Sequence, residues 1–146
     1  MAHVVEQIMT AVAAQVTALA VTGSNVTRDR VYTLEPADMP NLSVFQGNSS
    51  VSQNGVLSHA TSNLTVYIEI NVVSLTGATT TINQIWREIH IALMANRTLG
   101  LSSNVIDVTP LGSDDPVINS DGDQPIVSMR TSWDVLYRHS IGDPGV

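Results

Sequence analysis

Apolar residues recur along this chain at two intervals, and the interval switches from segment to segment. Val5, Ile8, Met9, Val12, Val16 and Leu19 lie three and four residues apart, which puts them on one stripe of a helix with Glu6, Gln7, Thr10 and Gln15 largely off it. The spacing predicts a helix over 2–20, with Gly23 as its terminator. Val26 to Tyr32 is rich in β-branched residues and predicts a short strand; Pro36 and Pro40 punctuate the turn after it, and Leu42, Val44 and Phe45 predict a second strand over 41–46. The polar stretch 47–63 carries only scattered Val51, Val56 and Leu57. It fits either a flexible loop or a hairpin turning at Asn54-Gly55, and the pattern does not choose between them.

The clearest strand follows. Leu64, Val66, Ile68, Ile70 and Val72 alternate strictly with Thr65, Tyr67, Glu69 and Asn71, giving one dry face and one wetter one. After Gly77, threonines 79–81 offer an N-cap, and Ile82, Ile85, Trp86, Ile89 and Leu93 form the stripe of a second helix ending near Asn96 to Gly100. Val105 to Pro110 predicts a further strand, 112–124 an acidic loop, and Val127, Met129, Thr131, Trp133, Val135 and Tyr137 a last alternating strand. Strands and helices are interspersed without βαβ repetition. The expected fold is a single α+β domain over 1–146, with a mostly antiparallel sheet and two main helices packed on one face.

Composition narrows the functions open to such a domain. The 146 residues are 43% hydrophobic and 13% charged, a balance that favours a folded chain over a disordered one. Net charge is −7, from thirteen acidic residues against six basic ones, all six of them arginine. With no basic patch to displace counterions from a phosphate backbone, specific nucleic-acid binding is not expected. The absence of cysteine excludes disulfides, thiolate nucleophiles and cysteine-ligated metal centres. No segment approaches the roughly 20 apolar residues that span a bilayer, so no membrane association is expected.

Catalytic patterns are missing. Asn119, Asp121 and Asp123 alternate like the first ligands of a calcium loop, but Gln124 stands where the turn glycine belongs and Arg130 where the bidentate glutamate belongs. His3, His59, His90 and His139 are scattered, and neither an HExxH helix, a GxSxG elbow nor a phosphate-binding glycine loop occurs. No catalytic residue, cofactor or metal is therefore expected. Trp86 and Trp133 each fall on an apolar stripe and are expected to face each other in the core. Strand alternation would send Arg28 and Arg30 to one face and Asp29 to the other, where the arginines are solvated or pair with a neighbouring subunit.

Taken in order, the elements resemble the tail terminator (tail completion, minor tail protein U-like) proteins of long-tailed bacteriophages. The likeness rests on the amphipathic helix Ile8 to Leu19, then Arg30-Val31-Tyr32 and Met39-Pro40-Asn41-Leu42. It continues through the strand Leu64 to Val72 and the helix Ile82 to Leu93 to the ending Trp133-Asp134-Val135-Leu136-Tyr137-Arg138 and Gly142-Asp143-Pro144. The resemblance implies a non-enzymatic virion protein, assembled in the host cytoplasm, that forms a six-subunit ring on the head-proximal end of the tail. Its implied partners are itself, the tail tube protein and a head–tail connector or head-closure protein, with DNA passing through the channel. On this reading Val51, Val56 and Leu57 belong to an extended arm over 47–63 that reaches a neighbour or the tube. Arg28, Arg30 and Arg138 are candidate subunit contacts, and Asp114, Asp115, Asp121 and Asp123 are candidates to line an acidic channel. The competing readings are another neck or tail subunit, such as a head-closure or tube protein, and a small metal-dependent enzyme using the acidic loop.

Overall fold

The computed structural model describes residues 2–31, 36–56, 58–73, 76–119 and 125–146. Its elements are α1 (Val4–Gln15), β1 (Val26–Arg28), a 3-10 turn (Pro36–Asp38), β2 (Asn41–Val56), β3 (His59–Val73), α2 (Ala78–Ala95), β4 (Val105–Ser113), β5 (Val117–Asn119) and β6 (Ile126–Ser140). The strands make one sheet in the order β1-β2-β3-β6-β4, with β5 also paired to β6. The β1–β2 pair is parallel and the others antiparallel. The fold is thus α+β, and its sheet is mixed rather than purely antiparallel.

The alternation read in β3 and β6 decides where the core lies. Leu64, Val66, Ile68, Ile70 and Val72 stand opposite Val135, Trp133, Thr131, Met129 and Val127, so all ten side chains share one face, joined by Leu42 and Val44 from β2. The buried stripes of α1 (Val4, Val5, Ile8, Met9, Val12) and α2 (Ile82, Ile85, Ile89, Leu93) close on that face. Thr131 is polar yet fully buried. Its hydroxyl donates to the Ile68 carbonyl at 2.8 Å and accepts from the Trp133 indole at 3.0 Å, so both the hydroxyl and the indole N–H are matched.

Several boundaries differ from the sequence reading. The first helix stops at Gln15, not near 20: Thr17 turns its hydroxyl back to the Ala13 carbonyl, and Ala18 adopts a left-handed φ of 71°. A tight turn then closes through paired Ala18–Gly23 and Gly23–Leu19 backbone bonds, while Val16 stays fully buried. β1 ends at Arg28, because Asp29 is left-handed with φ 50°; Tyr32 lies outside the described residues. No threonine caps α2, whose N-cap is Gly77 at φ 71° without a side-chain bond. Trp133 has His90 as its ring neighbour, with centroids 5.8 Å apart, instead of the expected Trp86, which is half-buried against the edge of the core.

The stretch 47–63 is largely strand. β2 runs on to Val56, β3 begins at His59, and Val56 pairs with His59, so the hairpin turns between those two residues and not at Asn54-Gly55. Its β3 half is held on both sides, since His59 to Asn63 also pair with Ser140 to Leu136 of β6. Irregularities in the register fall between Gln46 and Ser49, Val51 and Gln53, and Gln53 and Val56, which bends β2 away from a flat ladder. Gly47 sits in the first of these, its backbone pressed against the Thr65 carbonyl and the Tyr67 ring.

Candidate interaction surfaces

At the hairpin end of the helix-bearing face, the start of α1 and the end of β6 frame a cleft of about 480 Å³, lined among others by His3, Glu6, Ser49, Val51, Tyr137 and His139. His3 caps α1 by accepting the Val5 amide at 3.1 Å, and its ring lies 6.1 Å from that of His139. Tyr137 and Ser49 share a hydroxyl bond of 2.6 Å. Arg28 leaves β1 toward α1 and makes two bonds to Glu6, at 2.8 and 3.2 Å. These bonds hold the Glu6 carboxyl below its usual range and raise the Arg28 guanidinium. Val51 stands 63% exposed on the rim.

Among the described residues no α-helix packs on the opposite face of the sheet, where Asn41, Ser43 and Asn71 are nonetheless buried. There Arg30 donates to Ser43 at 3.1 Å and to Glu69 at 3.0 Å, and Ser43 donates in turn to Asn41, which reaches Asn25. Arg130 lies 4.9 Å above the Tyr67 ring and 5.6 Å from that of Phe45, a cation–π arrangement that also brings it within 3.8 Å of Glu69. Arg28 and Arg30 therefore serve opposite faces, contrary to the alternation argument, because the left-handed Asp29 between them resets the direction of the chain.

Along the far side, β4 and β5 form the edge next to β6. Ile106, Leu111, Val117 and Ile118 are 47%, 58%, 63% and 68% exposed there, an apolar content unusual for a sheet edge facing water. Asp107 is held by Arg97 through bonds of 2.6 and 2.8 Å that lower its carboxyl. Asp114 and Asp115 are exposed, and neither carboxylate has a partner among the described residues. On the outer side of α2, Asn83, Trp86, Arg87, His90 and Ile91 line a shallow groove of about 290 Å³.

The sequence candidates are thus dispersed. Arg28 and Val51 flank the cleft, Arg30 lies on the face opposite the helices, and Arg138 ties the end of β6 to the Ser103 carbonyl at 3.3 Å. Asp114 and Asp115 precede β5. Asp121, Asp123 and Leu57 lie outside the described residues, and Val56 is placed only as the last residue of β2. Among the described residues no three histidine, aspartate or glutamate side chains converge as a metal site, and no helix is long and apolar enough to cross a membrane. Sequence reading missed the α2 groove and the apolar edge. Arg87 and Ile91, just off the stripe of α2, and the adjacent Val117-Ile118 were the available signals.

No family model and no curated protein matches the chain. Among solved structures it is similar in fold to a chain from the virion of a native gene transfer agent particle. That match has a TM-score of 0.53 at 13% identity, over 92% of this chain and 92% of the other.

Proposed function

We propose that this protein is a structural subunit of a phage-type virion, a tail terminator whose copies close into a ring, six by the family resemblance, on the head-proximal end of the tail tube. The observation carrying the proposal is a fold shared, nearly end to end, with a virion chain; the ordered motifs from Arg30-Val31 to Gly142-Asp143-Pro144 supply the finer assignment. Three features support a binding role over catalysis: arginines engaged in structural pairs, apolar side chains exposed on a sheet edge, and a cleft whose polar groups bond to one another. The ring stops tube polymerisation and offers the surface that the connector or head-closure protein meets. With −7 per subunit, the assembly repels DNA from its channel wall. The end of the β2–β3 hairpin, with Val51 on its rim, serves as the arm that meets a neighbour or the tube.

The test is to mix purified protein with tail tubes assembled from their own subunit. Light scattering should give a closed oligomer, and electron microscopy should show rings capping one tube end and halting growth. Tubes that lengthen unchanged, with the protein monomeric at every concentration, would refute the assignment. Binding along the whole tube would favour a tube-subunit role instead.

A further inference from the structure

Two surface features described above are each incomplete, and they complement each other. The α2 groove pairs apolar surface, the half-buried Trp86 and the 51%-exposed Ile91, with an arginine that has nothing to bind. Arg28, Arg30, Arg97 and Arg130 all have carboxylate partners, and Arg138 has a carbonyl. Arg87 has neither an ion pair nor a hydrogen bond among the described residues. The segment Asp114-Asp115-Pro116-Val117-Ile118 is the converse: two unpaired carboxylates beside two aliphatic side chains left 63% and 68% exposed.

We infer that the α2 groove of one subunit receives the Asp114–Ile118 segment of the next copy, with Arg87 meeting Asp114 or Asp115 and Val117 or Ile118 covering Trp86 and Ile91. The inference rests on the ring reading and specifies its subunit boundary. Charge complementarity within one sequence makes a second copy the occupant: in a chain with six basic residues, the arginine left unengaged among the described residues lies in an apolar groove, and unpaired carboxylates lie next to exposed aliphatics. The two patches are different surfaces, so the contact is heterologous, and heterologous contacts that close by rotation make rings rather than two-fold dimers. The contact joins apolar burial to a charge pair that fixes register, as specific interfaces do. It also assigns Asp114 and Asp115 to the subunit boundary and not to the channel wall.

The test uses two full-length variants, Arg87→Glu and Asp114→Arg/Asp115→Arg, both altered at positions away from the core. Each alone places like charges at its own boundary, which should raise the concentration for half-assembly by at least about tenfold in light scattering, with melting of the subunit unchanged. Mixed in equal amounts they should assemble again, because the carboxylate introduced at position 87 of one then faces the guanidinium groups introduced at positions 114 and 115 of the other, while the alternate boundary keeps the parental pair. Native mass spectrometry should find the two in equal numbers and the ring even-membered. Variants that assemble like the parent would overturn the inference, as would a mixture that stays dissociated. A parent that fails to assemble even on tubes would instead remove the ring reading on which it stands.

Discussion

Replacing Gly47 by alanine tests whether the bend in β2 is built into the sheet. A Cβ at this position would lie 2.6 Å from the Thr65 carbonyl oxygen, 2.9 Å from Tyr67 Cε2 and 3.0 Å from Thr65 Cβ, where ordinary contact begins at 3.4 Å. The atom it meets first is backbone of β3, which is fixed on its other side by pairing of Thr65 with Asp134, so β3 cannot withdraw and β2 must shift. Overpacking of this kind costs about 1–3 kcal/mol. For a domain of this size, 1 kcal/mol moves the melting temperature by about 2–4 °C, so Gly47→Ala should melt about 2–12 °C below the parent by circular dichroism or calorimetry. The displaced hairpin end should also reduce tube capping at temperatures where the subunit is still folded. A variant that melts within about 1 °C of the parent would show that the irregularity between Gln46 and Ser49 absorbs the extra atom, and that the bend is not enforced by this contact.

Glu69→Gln should destabilise the subunit by about 1–3 kcal/mol, since Arg30 and Arg130 lose the carboxylate they share in a half-buried setting; urea unfolding with an unchanged slope would measure it, and no loss would show that water replaces the pair. The Glu6 carboxyl is depressed by the Arg28 bonds below its ordinary value of 4.5. Its contribution is therefore present above the unfolded value and lost as pH falls through the folded one. The stability gap between parent and Glu6→Gln should close on acidification below that range, and a gap independent of pH would remove the attribution to charge. Val51→Asp, on an exposed rim position, should leave stability within about 0.5 kcal/mol of the parent while weakening assembly or capping, and unaltered capping would exclude this part of the hairpin as a contact.

The layered arrangement was legible because its signal is periodic: Leu64 to Val72 and Val127 to Tyr137 alternate without a break, and pairing them puts every apolar member on one face. What was not legible depended on single dihedral angles and on long-range pairing. Nothing local marks Ala18 and Asp29 as left-handed, yet Ala18 ends the α1 turn and Asp29 separates Arg28 from Arg30. The polar stretch 47–63 lacks an apolar alternation, and it becomes strand because β6 extends beside it to Ser140, a partner so distant in sequence that no window on the hairpin itself contains it. The short β5 is invisible for the opposite reason: three exposed residues beside an acidic run carry no core signature, and their pairing with Ser128, Val127 and Ile126 is imposed by β6. The surfaces followed the same rule. Arginines were recognisable as chemistry, but which of them is spent within the subunit and which is left for another molecule is a property of the fold.

The left-handed Asp29 also sets how freely this region can drift in sequence. Arg28 anchors β1 to Glu6 on the first helix, and Arg30, two residues on, anchors the same stretch to Glu69 on the opposite face of the sheet; only the backbone reversal between them lets neighbouring arginines grip both sides. Substitution at 29 should therefore be filtered by conformation more than by charge: asparagine and glycine, which enter the left-handed region readily, should pass. Valine or isoleucine should fail despite suiting a strand, and their failure should release both arginines together.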